Sequence, residues 1–237
     1  MVNINDGFGD WQKDEKTPEE PKDDPKAGSK ANMYLLIGIC VIVLLFIAIF
    51  ALRIFVRQES VTIEDMIAKT LEGKENPKTN YMYNGFVFVK VGPLWYTQWK
   101  VDNYIFNVPL HYGPLELKVV IAEGQLDERF NTGSYYITFD PYGSDFSYVA
   151  VSAGEIGRNL VEGLGAKIKS SCYQNHTVCA GKPIITCENT NESVIFIKES
   201  NESKIVMQGN CLILQGKGEE LLKVTDRVIL QLYGIMK

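Results

Sequence analysis

The side chains that could do chemistry are few and lie far apart in the sequence. His111 falls in a His-Tyr-Gly-Pro turn, and only one other histidine, His176, is present. Ser152 stands between a predicted strand and a predicted helix, but the Val151–Gly154 sequence lacks the G-x-S-x-G pattern of a nucleophile elbow. Nothing in the sequence pairs His111 with Ser152, so we predict no catalytic residue from these side chains.

Two carboxylates give the strongest enzymatic alternative. Asp140 and Glu155 flank a predicted sheet-to-helix connection, and paired acids can hydrolyse a glycoside when they lie roughly 5 to 10 Å apart. His111 could serve as a base instead. This hydrolase hypothesis requires these side chains to line one cleft. A simpler interpretation of Asp140-Pro-Tyr-Gly143 is a turn.

The cysteines favour disulfides over metal. Four of the five follow residue 170, with six, seven and twenty-three residues between them, whereas zinc sites use close pairs such as C-x2-C. An even number suits two disulfides formed in an oxidising compartment. We favour Cys172–Cys179 and Cys187–Cys211 among the three pairings that four cysteines allow, and we predict no metal and no cofactor.

Aromatic residues concentrate in one segment, with ten in the 32 residues from Tyr81 to Tyr112. On a strand, Trp95 and Trp99 point to the same face. If that face is exposed, the two rings could bind a sugar or anchor a protein partner. If it is buried, they fill the core of a sheet, which is the more ordinary role.

A single uncharged stretch, Met33–Leu52, dominates the N-terminal part of the sequence. Twenty helical residues are roughly 30 Å long, the thickness of the hydrocarbon core of a bilayer. A cleaved signal peptide would be shorter and would end in small residues, and no lipobox surrounds Cys40. We therefore predict a retained membrane helix over residues 33–56.

The flanking segments predict the orientation of this helix. Residues 1–32 carry eight acids, five lysines and three prolines, which predicts a disordered cytoplasmic tail; Phe8 and Trp11 could form a short linear motif there. Five lysines before the helix, against three basic residues after it, favour a cytoplasmic N-terminus. Three Asn-x-Ser/Thr sequons, at Asn175, Asn191 and Asn201, agree with a glycosylated surface outside the cytoplasm.

The remaining sequence predicts a helical stalk or linker over residues 57–79 and an α+β domain over residues 80–237. We expect a mainly antiparallel or mixed sheet with two packed helices. The helices are predicted over 153–165 and 219–236 from apolar residues at steps of three and four. Predicted strands cover 83–91, 94–101, 104–108, 115–121, 135–139, 146–152, 183–188, 194–198, 204–208 and 210–215.

Charge excludes nucleic acid as a natural partner. The chain after residue 32 carries 19 basic and 21 acidic side chains, so there is no net attraction for phosphate. Gly216-Lys-Gly218 before a helix lacks the spacing of a phosphate-binding loop.

Three short sequences carry a resemblance: Pro183-Ile-Ile-Thr-Cys187, Gly209-Asn-Cys-Leu-Ile-Leu-Gln-Gly216, and Asp226-Arg227 in the last helix. The C-terminal part resembles uncharacterised single-pass membrane proteins of archaea. That resemblance implies a location in the cell envelope and carries no activity.

These observations together predict a single-pass membrane protein in contact with lipid. Its outer domain would bind or support another envelope protein or a glycan. The alternatives are the hydrolase described above and a membrane-anchored ligand sensor, although the short tail has no room for a signalling domain.

Overall fold

The computed structural model describes residues 27–55 and 62–237, which form two compact units. The first contains helix α1, Ala27–Phe55, with a segment from Asn32 to Arg53 that is long and apolar enough to cross a membrane. Residues 27–32, within the segment predicted as a tail, are helical and precede the apolar segment. Residues 1–26, with Phe8 and Trp11, lie outside the described residues, as do residues 56–61 of the predicted stalk.

Helix α2, Ile63–Leu71, belongs to the second unit. It begins at Thr62, whose hydroxyl accepts a hydrogen bond from the Asp65 N–H. Thr70 is buried, and its hydroxyl accepts a hydrogen bond from the Asn80 side chain at 2.9 Å. Helix α2, which lies in the segment predicted as a helical stalk or linker, is therefore held to Asn80 of the domain.

Ten strands and three more helices complete this unit. The strands are β1 Asn80–Tyr83, β2 Phe86–Val91, β3 Leu94–Val101, β4 Tyr104–Leu110, β5 Ile121–Leu126, β6 Ser134–Phe139, β7 Lys167–Cys172, β8 Ser193–Glu199, β9 Lys204–Gly209 and β10 Cys211–Gly216. The helices are α3 Pro114–Leu117, α4 Phe146–Arg158 and α5 Glu219–Leu232, and a π-helical turn over Asn159–Gly163 extends α4. The expected α+β class is confirmed.

Strands β1 to β4 form an antiparallel sheet in sequence order. The predicted continuous strand over 83–91 is wrong at its start, because Asn84 and Gly85 both have positive φ and make the tight turn between β1 and β2. The predicted strand over 115–121 is also wrong. Pro114 occupies the first turn of α3, where a missing N–H costs nothing, and β5 begins only at Ile121.

The second sheet has six strands in the order β5-β9-β10-β8-β6-β7. Strands β7, β6, β8 and β10 run parallel to one another, β9 is antiparallel to β10, and β5 is parallel to β9. This sheet is mixed, and the four-stranded sheet is antiparallel, which agrees with the expectation of antiparallel or mixed pairing. The connection β6-α4-β7 is a parallel crossover.

Three further elements differ from the prediction. Residues 146–152 are helical, because Val149, Ser152 and Ile156 are buried at the spacing of one helix face. Residues 167–172, predicted as loop, form the edge strand β7, whose first four residues are exposed. Residues 183–188 form no strand and make only one isolated bridge, from Ile184 to Cys172.

Helix α5 packs against β9 and β10, and its side chains belong to an apolar cluster that includes residues of both sheets. Nearly all of its residues from Leu221 to Leu230 are buried, whereas a surface helix buries only one face. Trp95 of β3, Val228 of α5 and Leu214 of β10 are members of this one cluster. Helix α4 packs beside α5 on the same face of the six-stranded sheet.

The opposite face of the six-stranded sheet is covered by the loop between β7 and β8. Phe196 stacks on Tyr173 of this loop with ring centroids 4.2 Å apart. Disulfides join Cys172 to Cys179 and Cys187 to Cys211, the pairing that the sequence favours. The second bond attaches the loop directly to β10 and so holds the loop against this face of the sheet.

Candidate functional site

Three elements bring together His111, Glu155 and Asp226. His111 directly follows β4, Glu155 is on α4, and Asp226 is on α5. One nitrogen or oxygen atom from each side chain lies within 4.8 Å of the other two. We call these three residues the triad.

Asp226 is the most buried member of the triad, with no exposed surface. Its Oδ2 accepts hydrogen bonds from the backbone N–H groups of His111 and Tyr112, at 2.9 and 2.8 Å. Its Oδ1 is buried and has no hydrogen-bond partner. Burial, with a contribution from the charge of Glu155, raises the pKa of Asp226 well above its ordinary value.

Glu155 and His111 touch without forming a good hydrogen bond. His111 Nδ1 lies 3.0 Å from Glu155 Oε1, yet Nδ1 has no aligned partner, and Glu155 Oε2 has none either. Burial raises the pKa of Glu155 to about 7 and lowers the pKa of His111. Both shifts disfavour the charged forms, so this contact is not a strongly stabilised ion pair.

A cleft of about 460 Å³ adjoins the triad, a volume that accommodates a small organic ligand. Of the triad, Glu155 lines this cleft. The wall combines apolar groups with one aromatic ring, two amides and two charged side chains. Its lining residues are Ile63, Leu94, Tyr96, Asn107, Pro109, Gly154, Glu155, Arg158 and Asn159.

The π-helical turn after α4 contributes Asn159 to the wall of this cleft. Asn159 is buried and donates a hydrogen bond from its side chain to the Glu155 carbonyl, at 2.8 Å. Tyr233 donates its hydroxyl to Asn159 Oδ1 at 3.0 Å. These two bonds connect the α4 backbone at Glu155 to the end of α5, which fixes the position from which the Glu155 side chain extends.

The tryptophans pack against the core. Trp95 is only 3% exposed and packs against Tyr81 with ring centroids 5.1 Å apart, so of the two roles considered for this ring the structure favours filling the core. Trp99 is half-buried and packs against Tyr233, at 4.8 Å between centroids. Both rings face the core from one side of β3, as the alternation of a strand requires.

Asp140 lies in a different depression of about 360 Å³, which it shares with Tyr142, Ser144, Glu199 and Lys217. Its Oδ1 accepts hydrogen bonds from the Tyr142 N–H and the Gln174 side chain. Asp140 and Glu155 therefore line separate depressions, and the hypothesis of a paired-acid site built from them is wrong. The side chain that the fold brings into contact with Glu155 is that of His111, which the sequence offered as an alternative base.

Ser152 is fully buried on α4, one turn before Glu155, and its hydroxyl has no hydrogen-bond partner. A nucleophile in that position would be shielded from substrate. The three sequon asparagines, Asn175, Asn191 and Asn201, are all exposed, as acceptors of a glycan must be.

Asp226 is the member of the triad that sequence reasoning missed. From the sequence, Asp226 was noted only within the resemblance, although the spacing of its neighbours indicates that it is buried. Leu222, Asp226 and Ile229 recur at steps of four and three, and this row lies beside the apolar stripe through Leu221, Val224 and Val228. A helix with two apolar rows is buried on more than one side, and an acid in the second row is then buried with it.

No protein-family model, curated protein or solved structure matches this chain. The resemblance to archaeal membrane proteins therefore remains a prediction, and the function has to be argued from the residues.

Proposed function

We propose that this protein is a membrane-anchored module whose outer domain, residues 62–237, binds a glycan or another protein of the cell envelope. One observation carries the proposal: a 22-residue apolar helix precedes a domain that contains two disulfides. Disulfides persist in oxidising compartments, and a helix of this length and composition is suited to a bilayer.

The excess of lysines before α1 supports a cytoplasmic N-terminus. The exposure of Asn175, Asn191 and Asn201 supports a domain that carries glycans outside the cytoplasm. Protease added to intact cells should then degrade the domain. A domain that stays intact while an established outer-surface protein is cleaved would contradict this orientation.

The cleft beside Glu155 is the best candidate for the binding surface. Tyr96 offers an aromatic ring, and Asn107 and Arg158 offer planar polar groups around it. An aromatic ring surrounded by hydrogen-bonding groups suits a sugar, whose two faces are apolar and whose edges carry hydroxyls. Most protein partners require a large, flat surface, whereas this site is a cleft. A glycan is therefore a better ligand for it than a protein.

Binding is tested with the full-length chain in detergent, probed with an array of envelope glycans and by crosslinking in native membranes. Tyr96→Ala and Arg158→Ala should each weaken binding by about tenfold or more. Tyr142→Ala, in the depression beside Asp140, is the matched control and should bind normally. Equal binding by all variants would show that the cleft is not the binding surface, and absence of any glycan or crosslinked partner would refute the module.

A second candidate function is hydrolysis at the triad. It is favoured by the 3.0 Å contact between His111 and Glu155 and by the pKa of Glu155 near 7, which suits a general acid or base. Glu155→Gln separates the two functions. A binding module should keep its affinity in this variant to within a few fold, whereas a hydrolase should lose about 100-fold or more in turnover of a bound glycan.

A further inference from the structure

We propose that His111, Glu155 and Asp226 form a binding site for one divalent transition-metal ion, with Zn²⁺ as the best fit. The three side chains come from three separate elements and converge on one point, with one nitrogen and two carboxylate oxygens within 4.8 Å of one another. The site depends on the folded domain alone and does not rest on the proposed orientation in a membrane.

The distance between His111 and Glu155 matches metal coordination. Ligand atoms about 2.1 Å from one ion lie about 3.0 to 3.4 Å apart when the bond angles are about 90 to 109°. His111 Nδ1 and Glu155 Oε1 are 3.0 Å apart, and the contact is not aligned as a hydrogen bond. Two atoms with lone pairs directed at a shared ion have this spacing and this misalignment.

Asp226 provides an independent reason to expect a ligand. A fully buried carboxylate oxygen without a partner is costly, and Asp226 Oδ1 is such an atom. Its other oxygen is held by two backbone N–H groups, so the orientation of the carboxylate is fixed before any ion arrives. In residues 62–237, no lysine or arginine forms an ion pair with Asp226 or Glu155. A bound cation would supply the missing positive charge.

The donor set selects the metal. One imidazole and two carboxylates suit zinc, which often takes three protein ligands and leaves a fourth position open. Calcium requires six to eight oxygen ligands, and magnesium retains most of its water. The cysteines of the domain are all in disulfides and cannot serve as ligands. Glu155 also lines the cleft, so the metal site and the cleft share one residue.

The competing explanation is a metal-free cluster in which the two carboxyl groups share protons. Zinc titration of the full-length chain distinguishes the two. The chain is purified in detergent without a histidine tag, stripped with a chelator and titrated with Zn²⁺ in a calorimeter. We expect one tight site. Asp226→Asn and Glu155→Gln should each weaken it by about 100-fold or more, since losing even an indirect ligand contact costs 10 to 100-fold.

Matched controls are Asp140→Asn and His176→Asn, which change an acid and a histidine outside the triad and should leave zinc binding unchanged. Asn at position 226 retains an oxygen that can accept the two backbone hydrogen bonds, so this variant should fold. Circular dichroism and melting temperature verify that, and Glu155→Gln provides a second variant at a less buried position.

Co²⁺ provides a readout of the ligands themselves. In the wild-type chain it should produce visible absorption bands of low-coordinate cobalt, and these should disappear in Asp226→Asn. The proposal is overturned if the wild type binds no zinc, or if folded Asp226→Asn and Glu155→Gln bind zinc as tightly as the wild type.

Discussion

Acidic residues occur at two places in this domain, beside Asp140 and in the triad. The two groups of acids differ in their hydrogen-bond partners and in the direction of their pKa shifts. Beside Asp140, the carboxylate of Glu199 accepts hydrogen bonds from the Ser144 hydroxyl and the Asp145 N–H and lies 3.4 Å from Lys217. These bonds lower the pKa of Glu199. In the triad, burial without such partners raises the pKa values of Glu155 and Asp226.

The difference shows which acids hold the fold together and which are available for a ligand. Glu199 accepts a hydrogen bond from the Asp145 N–H at the start of helix α4, and both of its carboxylate oxygens have hydrogen-bond partners. The triad keeps free oxygen atoms at Glu155 and Asp226, at a cost in stability. Unpaired buried groups of this kind mark functional sites more often than paired ones do.

Replacing Asp226 should give the largest effect. Asp226→Ala leaves the N–H groups of His111 and Tyr112 without an acceptor, which should lower the free energy of unfolding by about 2 to 5 kcal/mol. Asp226→Asn preserves an acceptor and removes the buried charge, so the metal-free protein should be as stable as the wild type or more so. Urea denaturation in the presence of a chelator measures both, and equal destabilisation by the two variants would contradict this account.

The pH dependence of stability should come next in size. Because the pKa of Glu155 is higher in the folded protein than its ordinary value of 4.5, the folded state binds this proton more tightly. Stability of the metal-free protein should therefore fall as pH rises from 4.5 to about 7, by roughly 2 to 3 kcal/mol. His111 and Asp226 face the same carboxyl group and titrate with it.

Glu155→Gln should flatten this fall, whereas Asp140→Asn should not. The measurement is denaturation at several pH values, and an unchanged slope in Glu155→Gln would show that the carboxyl group does not hold its proton in the folded state.

Glu199 should show the smallest effect and the opposite sign. Its lowered pKa means that its stabilising contribution is complete above the ordinary value of 4.5 and is lost as pH falls through its lower folded value. At pH 7, Glu199→Ala should cost about 1 to 2 kcal/mol through lost hydrogen bonds at the start of α4.

The difference between Glu199→Ala and the wild type should shrink in acid. The control is Glu188→Ala, which changes an exposed acid without these hydrogen bonds in the described structure. This variant should have the same free energy of unfolding as the wild type. A deficit in Glu199→Ala that persists at the lowest pH would contradict the assignment.

The elements that could be predicted from the sequence are those whose pattern is local. Alternation and tight turns located β2 to β4, and the apolar stretch from Met33 located α1. The first half of α4 was predicted as a strand, because Phe146–Ser152 is rich in aromatic and β-branched residues. The helical spacing of its buried side chains becomes apparent only when residues up to Ile156 are included. Edge strand β7 was missed because Lys167 and Lys169 give it a polar face.

The triad could not be assembled from the sequence, because its members lie 44 and 71 residues apart and meet only through the packing of α4 and α5. Glu155 is a candidate in the sequence as the companion of Asp140, and His111 as a base without a companion. The choice of Asp140 as the partner of Glu155 relied on nearness in sequence, and the fold places Asp140 at a different depression.

The place of α5 in the shared apolar cluster has a consequence for the order in which the domain is made. Both sheets are synthesised before residues 219–232, and side chains of that helix belong to the same apolar cluster as residues of both sheets. His111 and Glu155 are likewise synthesised before Asp226. The central cluster and the triad are therefore complete only after α5 has been made.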